Sequence, residues 1–185
     1  MRTATAAGPA VVIGVGNVLL RDDGVGVRAV EALRATVSQD PTALPGGTRL
    51  IDGGTLGLDL LRTLEGARSL LLLDAVDLDQ PAGTVSVLRG DAIVAAGGRW
   101  GRSAPGGVGE LLALARLMGC LPDPVALVGI QVDDVGFGIG LSATVEAALP
   151  SAVATARHEL RELDEFVERA WHRDGGNGAA EGATA

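Results

Sequence analysis

Two adjacent carboxylates, Asp22 and Asp23, follow the apolar run Val11-Val12-Ile13-Gly14-Val15 by a short loop through Gly16 and Asn17. Further along, Asp52 closes the apolar stretch Thr48–Ile51, and Asp74 closes the leucine run Leu70–Leu73. Buried strands that end on acids at a glycine-rich turn deliver those acids to the carboxyl edge of an α/β sheet, where ligands usually bind. Two carboxylates about 4 Å apart repel by roughly 4 kcal/mol at an effective dielectric near 20. A site that gathers them must therefore protonate one or engage a cation. A divalent ion offsets the repulsion, and a hard or borderline ion with oxygen and nitrogen ligands is the natural occupant.

Two other readings of the first motif compete with that one. A dinucleotide fingerprint needs Gly-x-Gly-x-x-Gly, but Gly14 and Gly16 are followed by Leu19 at the third place. The tandem acids would also set negative charge where a pyrophosphate should lie. Asp22 and Asp23 could instead serve a helix N-terminus, a role worth roughly 0.3–1 kcal/mol; one acid satisfies it and leaves the other spare. Asp52, in an Asp-Gly pair, reads equally well as a turn residue. Gly53 and Gly54 offer backbone N–H groups that bulkier residues would hinder.

The chain of 185 residues suits one domain, expected over 1–174, with a disordered Gly/Ala-rich tail at 175–185. Hydrophobic residues make up 47% but aromatics only 2%, so the core must be built from Val, Leu, Ile and Ala. The net charge is −8 and every basic residue is arginine, without the clusters that a phosphate backbone requires, so nucleic acid is not an expected partner. No apolar stretch is long enough to span a membrane, and residues 1–10 lack a signal-peptide pattern. The single cysteine, Cys120, excludes an intrachain disulfide and fits a reducing cytoplasm. A monomer is the simplest expectation for faces so well charged.

A strand over 10–15 leads to a helix over 23–37, whose Val27, Val30, Leu33 and Val37 share one stripe. A strand over 48–51 precedes a helix from Leu56, with Thr55 placed to cap it. The four leucines mark the strand beginning at Ser69 as covered on both faces. Residues 84–88 alternate and suit an edge or antiparallel strand. A mobile-looking Gly-rich segment at 97–107 holds Arg99, Trp100 and Arg102. A helix over 107–118, a buried strand over 125–130 and a Gly/Asp-rich loop over 131–140 follow. Ser142 opens the C-terminal helical region, expected to break or kink at Pro150. The pattern predicts a three-layer α/β/α domain around a mostly parallel, twisted sheet of about five strands.

Gly14-Val15-Gly16-Asn17 with Asp22-Asp23-Gly24-Val25-Gly26, Asp52-Gly53-Gly54-Thr55-Leu56-Gly57, Leu73-Asp74-Ala75-Val76, and Leu127-Val128-Gly129-Ile130 with Gly140-Leu141-Ser142 resemble the nickel-iron hydrogenase maturation proteases. The resemblance covers roughly positions 10 to 165 in order and with similar spacing. It implies an endopeptidase that removes a C-terminal extension from the hydrogenase large-subunit precursor after nickel insertion, with the nickel centre as a recognition element. It also implies catalytic and metal-ligating roles for Asp23 and Asp74, together with a histidine.

That histidine is missing. The family's Ser-x-His pattern stands six residues before an acidic position matched by Glu110, which lands on Ala104, or on Pro105 with one deletion. His158 lies roughly 200° from the apolar stripe of its helix and should face solvent, and His172 adjoins the tail. Cys120 reads as a small packing residue with no histidine partner, against a cysteine-protease mechanism. Two expectations follow. Either the chain is a working protease whose Asp23 and Asp74 meet nickel already held by the substrate's cysteines, or it is a non-catalytic relative that binds a precursor or assembly factor through the same cleft.

Overall fold

The computed structural model describes residues 8–96 and 107–173. Most of the Gly-rich segment, including Ala104 and Pro105, and the expected C-terminal tail lie outside that range. The strands are β1 (Ala10–Val15), β2 (Arg49–Gly54), β3 (Ser69–Val76), β4 (Val85–Arg89) and β5 (Val125–Gln131). The helices are α1 (Val25–Gln39), α2 (Leu61–Leu64), α3 (Asp91–Ala96), α4 (Val108–Leu117) and α5 (Ala143–Arg173), with 3-10 turns at Arg21–Gly24 and Gly57–Leu60.

The five strands form one sheet in the order β2-β1-β3-β5-β4. All pairings are parallel except β4 with β5, where Val87 lies opposite Val128. Alternation along the strands builds two cores from Val, Leu, Ile and Ala. On one face Val11, Ile13, Leu70, Leu72 and Leu127 pack with Leu64 of α2, Ile93 of α3 and Leu111 of α4. On the other, Val12, Leu71, Leu73 and Val128 pack against Val30 and Leu33 of α1 and Ala156 and Leu160 of α5. Every residue of β3 is buried, as its leucine run requires of a central strand.

Three local expectations are corrected. The first helix begins at Val25 and not Asp23, because Arg21–Gly24 forms a separate 3-10 turn. Thr55 caps nothing: the 3-10 turn after β2 starts from Leu56 without a side-chain cap. The C-terminal helix runs through Pro150 unbroken, with buried Val145 before the proline and buried Ala152 after it pinning both parts to the core. The short α3 has no counterpart in the sequence reading; six residues are too few to display a helical period.

Chain order decides where a crevice opens. From β1 the chain passes through α1 to β2 on one side, then returns to β3 on the other side of β1. The reversal parts the connections at the carboxyl ends of β1 and β3, which is where open α/β sheets bind ligands.

Candidate active site

The loop leaving β1 is shaped by Asn17. Its side-chain oxygen accepts the Leu19 N–H at 3.0 Å, and its backbone oxygen accepts the Leu20 N–H at 2.9 Å. The chain then turns into Arg21–Gly24, and Asp23 Oδ2 reaches back to accept the Asn17 N–H at 2.8 Å. Glycine is required at two contacts. Gly16 adopts φ +130°, and a Cβ there would collide with the Asp23 carbonyl. A Cβ on Gly26 would strike the carbonyls of Val15 and Leu73, so this glycine lets α1 approach β1 and β3. Of the two glycines of the dinucleotide-like motif, Gly14 makes room for the Gly26 carbonyl of α1 and Gly16 for the Asp23 carbonyl of the 3-10 turn, so they serve packing on the sheet and at the turn.

Asp74 stands in β3 one residue beyond Leu73, which pairs with Gly14 of β1, and lies opposite Gly129 of β5. It is buried, 6% exposed, and Oδ1 accepts the Ala75 N–H at 2.8 Å. Burial pushes its carboxyl up to about 8, the Ala75 N–H acts in the opposite direction, and the nearby Asp23 charge raises it further. The structure therefore brings Asp23 and Asp74 within electrostatic reach at the switch point. At neutral pH the buried partner holds a proton.

Asp52 does not join them. It is exposed on the edge strand, and the charge acting on Asp74 is that of Asp23. Position explains this, since β2 lies beyond β1 from β3.

Asp22, beside Asp23, has a different task. It is fully buried and accepts four hydrogen bonds: to Oδ2 from Asp133 N–H (3.0 Å), Asp134 N–H (2.9 Å) and the Ser142 hydroxyl (2.9 Å), and to Oδ1 from Ser142 N–H (2.6 Å). Burial alone would raise its carboxyl, but these donors bring it below the usual carboxylate range. The helix N-terminus that Asp22 serves is that of α5 and not α1: it holds Ser142, whose hydroxyl accepts the Val145 N–H at 3.4 Å. Only the 120 residues separating Asp22 from Ser142 hid the relationship.

The histidines give no third ligand. His158 is exposed on α5, as its position off the stripe predicts, and His172 is exposed near the end of that helix. Among the described residues no three His, Cys, Asp or Glu side chains converge, and residues 97–106 contain none of these types. Asp23 and Asp74 alone therefore do not fit a divalent ion held by this chain as a resident centre. Cys120 is partly buried against the core near α4.

A buried acid influenced by a second acid at the switch point of an α/β/α sandwich is an arrangement for proton chemistry, and the fold matches that of a maturating endopeptidase. The structure of the hydrogenase maturating endopeptidase HybD from Escherichia coli superposes with a TM-score of 0.72 at 32% identity, covering 83% of this chain and 93% of that one. The hydrogenase maturation protease model HycI matches residues 27–159. The hydrogenase expression/formation protein HupD of Rhodobacter capsulatus is 41% identical over 152 residues, 81% of this chain and 70% of that protein. The hydrogenase 2 maturation protease of Escherichia coli K12 is 34% identical over 152 residues, 82% of this chain and 90% of that protein. The chain belongs to the hydrogenase maturation protease family. It is a peptidase.

Proposed function

We propose that the chain cuts the C-terminal extension from a nickel-iron hydrogenase large-subunit precursor, with Asp23 and Asp74 as the catalytic carboxylates. The observation that supports this reading is a buried Asp74 at the switch point whose carboxyl is raised by burial and, further, by the nearby Asp23 charge. Nickel enters as part of the substrate, held by the precursor's own cysteines. A cationic centre arriving at the pair favours loss of the Asp74 proton and offsets the repulsion between the two carboxylates. The missing histidine is then tolerable, because the substrate supplies the remaining ligands.

Hydrolysis adds water across the scissile amide: hydroxide to the carbonyl carbon, a proton to the departing nitrogen. A carboxylate next to the bond takes the proton from water and returns it to the amine, an aspartic-type use of the pair. The Asn17 N–H holds the Asp23 carboxylate for that role, and burial in the central strand keeps Asp74 away from bulk water. No described helix is long and apolar enough to cross a membrane. We place the protein in the cytoplasm, as a monomer, where its one cysteine remains reduced.

The test is incubation of the purified protein with nickel-loaded and nickel-free precursor, read by intact mass. Loss of the tail from the loaded form alone, abolished by Asp23→Asn and by Asp74→Asn, is expected. Retained cleavage in both variants overturns the assignment of the acids.

A further inference from the structure

Ten large apolar side chains are exposed among the described residues. Four of them, Leu19, Val135, Phe137 and Ile139, lie on two loops that are joined to each other. Leu20 and Gly138 form a parallel bridge, Gly138 N–H donates to the Leu19 carbonyl at 2.9 Å, and Arg21 N–H donates to the Gly138 carbonyl at 3.1 Å. Gly138 also leaves room for the Arg21 side chain, which a Cβ would meet at 2.9 Å from Nε. Arg21 Nε pairs with Asp134 at 3.2 Å.

The joined loops are not loose. Buried Asp22 clamps the second loop at Asp133, Asp134 and Ser142, and Asp23 holds the first at Asn17. Phe137 nevertheless exposes 86% of its surface and Ile139 79%. Apolar surface held rigidly open to water beside a reactive pair marks an interaction site, because nothing in local folding requires it.

We propose that Phe137 and Ile139, with Leu19, are the surface that receives an extended apolar segment of the precursor next to the cut. This rests on the proteolytic reading for its partner. Continuity with the acid pair, one loop turn away, gives the occupant: a segment seated here leads its chain directly past Asp23.

The experiment compares Phe137→Ser/Ile139→Ser with a control of similar exposure elsewhere, Leu117→Ser/Met118→Ser at the end of α4. Each is tested for capture of nickel-loaded precursor by interferometry and for cleavage by mass. Both variants change exposed side chains only, and thermal melts matching the wild type verify their folds. The patch variant is expected to weaken capture about tenfold or more and to raise KM with kcat within about twofold of the wild type, while the control leaves both unchanged. Unchanged capture by the patch variant, or equal loss in the control, overturns the proposal. So does a wild-type dimer in sedimentation that the patch variant dissolves while precursor capture persists, since the occupant is then a second copy. A wild type that captures precursor through the patch yet cuts nothing supports this inference and overturns the proteolytic one.

Discussion

Asp22 Oδ1 accepts the backbone N–H of Ser142 at 2.6 Å, tying the loop that leaves β1 to the N-terminus of α5 across the carboxyl edge of the sheet. Its other oxygen takes three further donors from the same distant loop. Neighbouring Asp23 is thereby set on a turn whose far side cannot drift. Asp22→Ala leaves the N–H groups of Asp133, Asp134 and Ser142 without this acceptor and is expected to cost about 1–3 kcal/mol. Urea denaturation at pH 7 measures it.

That cost depends on pH with a definite sign. The Asp22 carboxyl lies below its unfolded value near 3.8, so the unfolded chain binds the proton more readily as pH falls. The stabilisation is present above pH about 4 and is lost as pH drops through the folded value. Denaturation of wild type and Asp22→Ala from pH 6 to pH 2.5 should show the two converging at the acid end. A constant gap would remove the carboxylate's charge from the account.

Asp74 has the opposite sign. Its folded carboxyl sits at about 8 against an unfolded 3.8, so the native state holds a proton that the unfolded state releases between those values. Protein without substrate should lose stability as pH rises from 4 to 8 and then level off. Asp74→Asn cannot ionise and is expected to abolish that part of the slope, standing on the order of 2 kcal/mol above wild type at pH 9. It should be inactive at the same time. A matched pair of urea curves at pH 4.5 and pH 9 decides the first point.

Gly26→Ala puts a Cβ against the backbone carbonyls of Val15 and Leu73. Neither carbonyl can yield without moving a strand, so α1 must shift outward and carry the Arg21–Gly24 turn with it. The expected penalty is about 3 kcal/mol, at the upper end for overpacking, with lower precursor cleavage in the fraction that folds. Melting temperature and single-turnover cleavage report the two effects separately.

Free nickel should be held weakly, since two carboxylates with no third donor among the described residues fall short of a closed site. After loading with nickel sulfate and desalting, the protein is expected to contain well under one equivalent by metal analysis. Tight stoichiometric retention would show that the chain itself completes the coordination.

What the sequence alone determined were features written in short range. Apolar runs and alternation specified the strands, the leucines of β3 declared a strand covered on both faces, and His158 was placed outward by its distance from a helical stripe. Acids following strands placed Asp23 and Asp74 at the same edge, because parallel strands end on the same side. The tertiary structure alone separated Asp22 from Asp23, since the donors that claim Asp22 lie more than a hundred residues away and no local period encodes them. It also removed Asp52 from the acid group, a matter of strand order. The apolar residues alternating with glycine over 135–140 were visible as letters in a loop, but their meaning required the partner loop. Burial and pairing between distant segments are sums over the whole fold, and only the folded chain performs them.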